Sequence, residues 1–215
     1  MTSKETIYDH SEAIPVPNLL QRARLGNTEA LGQVLQLYRN YLTILATTQL
    51  DRKLRRRVNP SDLVQDAMLA AHTDFAKFQG CSERELLAWL RQILINCLHH
   101  VIETHLRAKM RDMRREISVE HLGATLDQSA CNFTQMLADR GPSPSAPMQQ
   151  RERAVALADQ LSRLPPQYRD VIVLRNLQGL SFDEVAERMD RKPGTVRMLW
   201  LRAIEKFKQI YQPID

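Results

Sequence analysis

Apolar residues recur at helical spacing along two long stretches of this chain, residues 19–113 and 151–215. Spacings of three and four positions between apolar residues are typical of amphipathic helices. No alternating apolar and polar pattern of useful length occurs, so no strands are predicted. Residues 1–18 lack this periodicity and contain two prolines, which favours a mobile N-terminal tail. The pattern therefore predicts an all-α protein made of two small helical domains.

A flexible linker is predicted between the two domains, over residues 114–150. The periodic pattern dissolves there, and positions 141–150 read GPSPSAPMQQ. Prolines remove backbone donors and disfavour the helical conformation at the residue before them. We therefore expect two separately folded units on one chain.

The first domain contains a helix that begins at the sequence Asn-Pro-Ser-Asp, positions 59–62. Asparagine at the N-cap, proline at the first helical position and aspartate in the first turn each suit the unpaired amides of a helix start. The core stripe of this helix comprises Leu63, Val64, Ala67, Met68, Ala71, Phe75 and Phe78. Its outward face comprises Asp62, Gln65, Asp66, Leu69 and Thr73.

A capping box at positions 82–85, Ser-Glu-Arg-Glu, predicts the start of the next helix. Apolar residues cover most of that helix. Only a narrow polar stripe remains, with steps of three or four residues: Gln92, Asn96, His99, Glu103 and Arg107.

The second domain ends in a predicted helix-turn-helix. A second capping box, Ser-Phe-Asp-Glu at positions 181–184, opens a short helix that runs through Met189. Residues 190–192 form a tight turn, and Pro193 then stands where the first residue of the final helix belongs. This order of elements is typical of DNA-binding motifs whose second helix enters the major groove.

The final helix divides into an apolar face and a mixed face. The apolar face should pack inside the domain and comprises Val196, Leu199, Trp200, Ala203 and Phe207. The opposite face carries Arg197, Met198, Leu201 and Arg202. Two arginines beside exposed Met and Leu suit base edges and thymine methyl groups better than water. Arg191 and Lys192, in the turn, are placed to meet phosphates.

The overall charge favours a polyanionic partner, because the formal net charge is +5 and the Lys and Arg residues are clustered. Three cysteines, Cys81, Cys97 and Cys131, form no Cys-x-x-Cys pair, which fits a reducing cytoplasm. No apolar run approaches the roughly 18 residues of a membrane span, and the start of the chain is too polar for a signal peptide. We expect a soluble, cytoplasmic protein.

No residue pattern indicates catalysis, a metal site or a cofactor. A zinc site could draw only on Cys97, His99, His100 and His105, and no second ligand pair accompanies them. Asp62 and Asp66 lie one turn apart without a nearby histidine or glycine-rich loop, so a partner-binding surface explains them better than catalytic carboxylates. Trp89 and Trp200 lie on apolar stripes and are interpreted as core residues. The basic stretch at 51–57, DRKLRRR, fits either a solvated loop or a contact with DNA or a protein.

Two blocks of this sequence resemble the second and fourth domains of extracytoplasmic-function sigma factors. The first block contains NPSDLVQDAMLAAHTDFAKFQG at 59–80 and ELLAWLRQILINCL at 85–98. The second block is LSRLPPQYRDVIVLRNLQGLSFDEVAERMDRKPGTVRMLWLRA, at 161–203. The resemblance implies a non-enzymatic adaptor that binds RNA polymerase core and directs it to promoters, without a cofactor.

The resemblance also implies three binding surfaces. A polymerase-binding surface, which docks on the coiled coil of the beta-prime clamp, would use Asp62, Gln65, Asp66 and Leu69. The loop 78–85 and the helix after it would bind the melted minus-ten strand, with contacts from Arg91, Asn96, His99, His100, Arg107 and Lys109. The helix-turn-helix would read the minus-thirty-five duplex with Arg191, Lys192, Thr195, Arg197, Met198, Leu201 and Arg202, and its domain would sit on the beta flap. An anti-sigma protein is left open as a further partner.

The sequence departs from the family pattern at two positions of the helix-turn-helix. Asp190 stands where glycine is usual, and aspartate tolerates a left-handed backbone. Met198 stands where a small polar residue is common, which leaves the preferred promoter sequence open. Two other functions also stay open from the residues alone: a one-component regulator in which residues 19–113 sense or dimerise, and a recombinase with a helix-turn-helix tail.

Overall fold

The structure is a computed structural model that describes residues 15–50, 58–106, 127–130, 132–133 and 147–212. No strand occurs within these ranges, so the all-α prediction is confirmed. The helices are α1 (Val16–Arg24), α2 (Thr28–Gln49), α3 (Pro60–Asp74), α4 (Glu83–Leu106), α5 (Pro147–Ser162), α6 (Pro166–Ile172), α7 (Phe182–Met189) and α8 (Pro193–Ile210). A 3₁₀ turn, Phe75–Lys77, follows α3, and a π-helical turn, Val173–Leu177, follows α6. None of the helices in these ranges is long and apolar enough to cross a membrane.

The helix starts of the first half follow the capping residues in the sequence. The Asn27 side chain accepts a hydrogen bond from the Ala30 amide at 2.9 Å, and the Asn59 side chain accepts one from the Ser61 amide at 3.0 Å. The start of α3 at Pro60 is therefore as predicted. Helix α1 begins earlier than expected, at Val16, because a proline in the first turn of a helix loses no intrahelical hydrogen bond. The N-terminal tail, predicted to end at residue 18, was therefore predicted to extend too far, because residues 16–18 belong to α1.

The two halves of the chain pack directly on each other. All the residues from 41 to 48 in α2 are buried, although a helix on the outside of a domain would bury only one stripe. Helices α3 and α4 cover one side of α2, while α5 and the π-helical turn contact another. One hydrophobic core therefore extends through both halves.

Polar contacts between the two halves of the chain supply hydrogen bonds to backbone carbonyls at the C-terminal end of α2. The last carbonyls of a helix have no intrahelical partner. Here Gln178 donates to the Thr48 carbonyl at 2.9 Å, and Arg188 reaches the Leu50 carbonyl at 3.4 Å. Asn40 also donates to the Asp159 carboxylate at 2.8 Å. These contacts differ from the expectation of two separate units joined only by a linker.

Part of the predicted linker belongs to this core. Residues 127–130 and 132–133 are helical, and Asp127, Ala130 and Phe133 are buried. The Phe133 ring stacks on that of Phe207 in α8, with centroids 6.0 Å apart. Helix α5 also begins at Pro147, inside the predicted linker, because proline suits the first turn of a helix. The linker prediction is therefore wrong at these positions, and the rest of it lies outside the described residues.

Candidate nucleic-acid and polymerase interfaces

Helices α7 and α8 form the predicted helix-turn-helix. At the start of α7, the Ser181 hydroxyl accepts from the Glu184 amide at 3.3 Å, and the Glu184 carboxylate accepts from the Ser181 amide at 2.7 Å. This is the predicted capping box. Helix α7 ends at Met189, and the backbone of the next residue, Asp190, is left-handed with φ 56° and ψ 49°. Aspartate therefore supports the turn in place of the usual glycine, as expected.

The capping box lowers the pKa of the Glu184 carboxyl, because that group accepts hydrogen bonds from the backbone amide and then the hydroxyl of Ser181, with Arg188 nearby. A pKa below its unfolded value adds stability at neutral pH that is lost as the pH falls through the folded pKa. We expect Ser181→Ala to raise this pKa part of the way toward its usual value, since only the hydroxyl contact is removed. A carboxyl-carbon NMR titration measures this, with Ser181→Thr as a control that keeps the hydroxyl. An unchanged pKa in Ser181→Ala would contradict the capping account.

The two faces of α8 are as predicted. Val196, Ala203 and Phe207 are fully buried, and Leu199 is buried. On the other side, Met198 is 52% and Leu201 is 53% exposed, unusually high for large apolar side chains. The other predicted duplex contacts are also exposed: Arg191, Lys192, Thr195, Arg197 and Arg202. We call this exposed set the recognition face.

The structure adds two residues that the sequence did not single out. The Arg197 guanidinium carbon lies 5.6 Å from the centroid of the Phe182 ring, within cation–π range. The Arg175 guanidinium lies 5.0 Å from the same centroid, and Arg175 donates to the Leu180 carbonyl at 3.0 Å. Phe182 is the first residue of α7, where the sequence predicts only a position within the capping box. The aromatic residue inside the capping box is the sequence feature that could have pointed to this contact.

The outward face of α3 is also confirmed as exposed. Asp62, Gln65 and Asp66 lie in solvent, and Leu69 is 68% exposed, while Leu63, Val64 and Ala67 are buried beneath them. We call Asp62, Gln65, Asp66 and Leu69 the α3 face. Its position follows from the three- and four-residue steps of the helix.

A loop with close packing joins α3 to α4. A Cβ atom added to Gly80 would lie 2.5 Å from a Phe78 ring carbon and 2.7 Å from the Glu85 Cβ, so no larger residue fits without a shift. The Trp89 ring packs on Phe78, with centroids 5.1 Å apart, as expected for a core residue. Glu85 accepts from the amides of Cys81 and Ser82 at 2.8 and 2.9 Å, which completes the predicted capping box. The close packing of Gly80 against Phe78 and the hydrogen bonds to Glu85 therefore fix the conformation of this loop.

The predicted minus-ten residues divide into three groups. Asn96, His99 and His100 are exposed on α4, and Gln92 donates to the Asn96 side chain at 2.9 Å. The side chains of Arg107 and Lys109 lie outside the described residues. Arg91 is only 6% exposed, which contradicts its assignment as a phosphate contact.

Arg91 belongs to a buried polar cluster. Its Nη2 atom lies 3.0 Å from Asp127 Oδ2 and also donates to the Tyr41 hydroxyl. The Tyr41 hydroxyl donates to Asp127 Oδ1 at 2.9 Å. Burial raises the pKa of Tyr41, so its hydroxyl stays protonated and available as a donor. An arginine with a buried carboxylate partner has a structural role.

The described residues contain no group of three or more His, Cys, Asp or Glu side chains that could hold a metal ion. Burial, followed by the charge of Asp66, raises the pKa of the Cys97 thiol. A protonated thiol is a poor metal ligand. The side chain of His105 and the stretch 51–57 lie outside the described residues.

The chain is similar in sequence to several known proteins. The model of the family described as sigma-70, region 4 matches residues 154–207, which contain the helix-turn-helix. The ECF RNA polymerase sigma-E factor of Haemophilus influenzae is 27% identical over 196 residues, covering 91% of this chain and 95% of the relative. The ECF RNA polymerase sigma-E factor of Escherichia coli K12 is 26% identical over 210 residues, covering 95% and 98%. A solved structure, CnrH in complex with the cytosolic domain of CnrY, is 22% identical over 90% of this chain and 95% of its own, with a TM-score of 0.34.

The helix-turn-helix and its exposed recognition face lie within the residues that match sigma-70, region 4. The relatives extend the match over nearly the whole length of both chains. The chain is thus similar over nearly its whole length to extracytoplasmic-function (ECF) RNA polymerase sigma factors. Its relatives are regulatory DNA-recognition proteins.

Proposed function

We propose that this chain binds RNA polymerase core and directs it to promoters, where it takes part in DNA opening and transcription initiation. The recognition face within the sigma-70 region 4 match carries this proposal. Arg197 and Arg202 suit guanine edges, and the exposed Met198 and Leu201 suit thymine methyl groups. Arg191 and Lys192, in the turn before α8, would contact phosphates and set the register of the helix on the minus-thirty-five duplex.

The polar stripe of α4 would act at the minus-ten element. Extruding a base costs a few kcal/mol, and binding the flipped base and the single-strand backbone can offset that cost. Asn96 offers both amide donors and acceptors to a base edge, and His99 and His100 can stack or form hydrogen bonds. Arg91 is excluded from this role because it is buried. Arg107 and Lys109 remain the proposed source of backbone charge.

The α3 face would dock on the beta-prime clamp of the polymerase, and the second half would also contact the beta flap. Two carboxylates beside an exposed leucine suit a partner surface that is both basic and apolar. An anti-sigma protein would act by covering one of these surfaces. In this proposal catalysis belongs to the polymerase, and the chain works in the cytoplasm, where that enzyme transcribes.

Reconstitution with core polymerase tests the proposed function. The purified chain is mixed with core, the complex is isolated by gel filtration, and transcription is followed on a library of promoter fragments. We expect co-elution with core and transcripts from a subset of fragments, with core alone as the control. No complex with core, or the same transcripts with core alone, would contradict the proposal. Self-association without core would favour the one-component regulator, and a covalent protein–DNA product would favour the recombinase.

A further inference from the structure

We propose that Phe182 is a positioning residue for promoter binding: its ring holds the Arg197 guanidinium in place for the minus-thirty-five duplex. This inference rests on the proposed function, because it assigns Phe182 a role only through the recognition face. Phe182 lies at the first position of α7 and Arg197 lies in the second turn of α8, so the contact joins the two helices of the motif. The ring itself need not touch DNA.

The Phe182 ring is fixed by groups behind it. Ser181 and Glu184 form the capping box that sets the start of α7, and Phe182 follows Ser181 directly. The ring meets Trp200 edge-on, with centroids 5.6 Å apart and an interplanar angle of 75°. The Trp200 indole donates to the Asn176 side chain at 2.9 Å, which anchors the indole in turn. Phe182 is therefore a rigid platform at the edge of the recognition face.

Arg197 is the mobile member of the pair. Its side chain is exposed, and an exposed arginine samples many rotamers that must be given up when it binds a base or phosphate. The face of an aromatic ring attracts a guanidinium, and the observed distance of 5.6 Å lies within that range. Contact with the ring thus limits the positions of the guanidinium before DNA arrives, which lowers the ordering cost of binding.

Arg175 lies on the same ring but is held differently. Its guanidinium donates to the Leu180 carbonyl at 3.0 Å and is half-buried. Two cations near one ring repel each other, and a polyanion brought to the recognition face relieves that repulsion. DNA binding therefore strengthens the contact between Arg197 and the Phe182 ring, while Arg175 stays hydrogen-bonded to the backbone.

The test uses holoenzyme reconstituted from core and the full chain, bound to a promoter fragment taken from the transcription library. We expect Phe182→Leu to weaken promoter binding about two- to fivefold, the size of a single exposed cation–π contact. Phe182→Tyr keeps an aromatic face and should bind within error of the unaltered chain. In an Arg197→Ala background, Phe182→Leu should have no further effect. Thermal unfolding and core binding, measured in parallel, check that each variant is folded.

A fluorinated series at position 182 separates the ring's electrostatics from its shape. Stepwise fluorination of phenylalanine withdraws charge from the ring face, so promoter affinity should fall with each step when Arg197 is present and stay level in Arg197→Ala. Equal slopes in both backgrounds, or equal losses from Phe182→Leu in both, would show that Phe182 acts by packing and would overturn the inference. An effect of Arg197→Ala without any effect of Phe182→Leu also overturns it and leaves the proposed function standing. If Arg197→Ala itself binds promoter normally, the assignment of the recognition face fails as well.

Discussion

Asp66→Arg should weaken binding to RNA polymerase core by about tenfold or more, because reversing a charge within a complementary interface places like charges together. Asp66 lies at the centre of the α3 face, between Asp62 one turn before it and Leu69 after it. The side chain is exposed, so the substitution leaves the core of the protein intact. Competition for core against a fluorescently labelled unaltered chain measures the loss.

Two control sets make this prediction specific. Glu152→Arg makes the same reversal of charge at an exposed position of α5, outside the α3 face, so core binding should be retained. Arg197→Ala and Arg202→Ala should give the reverse pattern, with weaker minus-thirty-five duplex binding and normal core binding. Equal loss of both activities in Asp66→Arg, Arg197→Ala and Arg202→Ala would count against the assignment of separate faces.

The faces of single helices could be predicted because each depends only on local periodicity. The exposed Asp66 and Leu69, the buried Leu63 and Val64, and the left-handed Asp190 all follow from helical spacing and backbone preferences. The same is true of the two sides of α8. These predictions needed no knowledge of which other helices lie nearby.

Features that depend on distant contacts could not be predicted in the same way. Arg91 lies in a strongly apolar helix, and its carboxylate partner, Asp127, is 36 residues away in a stretch without a periodic pattern. The sequence therefore suggested a phosphate contact for Arg91, where the structure shows an internal ion pair. The burial of the whole 41–48 segment likewise requires the second half of the chain to cover α2.

The contact between Phe182 and Arg197 is another feature that the sequence did not predict. Its place in a capping box is a local feature and was evident, but its contact with Arg197 depends on how α7 and α8 meet. Helical periodicity fixes the faces of each helix and leaves the pairing between their ends undetermined. In the helix-turn-helix the first residue of α7 lies next to the second turn of α8, which places Phe182 at the edge of the recognition face.

The second large effect expected is a loss of stability from breaking the buried cluster. Asp127→Ala should lower the free energy of unfolding by about 3–5 kcal/mol, because it leaves the buried charge of Arg91 without its carboxylate counter-ion. The two side chains are only 7% and 6% exposed, so water cannot replace the lost contact. Chemical denaturation in urea measures the change. Asp159→Ala, which removes one part-buried hydrogen bond to Asn40, is the matched control and should cost about 1 kcal/mol.

Replacing the cluster with apolar groups tests two explanations. Either the ion pair itself stabilises the fold, or the protein loses stability only when one member is removed and the other stays buried. The triple variant Arg91→Met, Asp127→Leu and Tyr41→Phe removes the three groups that share these hydrogen bonds, which is often neutral or stabilising for buried ion pairs. It leaves Arg151, whose Nε lies 4.0 Å from Asp127 Oδ2 and whose side chain is 17% exposed. We therefore expect it to recover most of the stability that Asp127→Ala loses. If Asp127→Ala instead unfolds at the same urea concentration as the unaltered chain, residues 127–130 and 132–133 do not belong to the core, and these positions return to the predicted flexible linker.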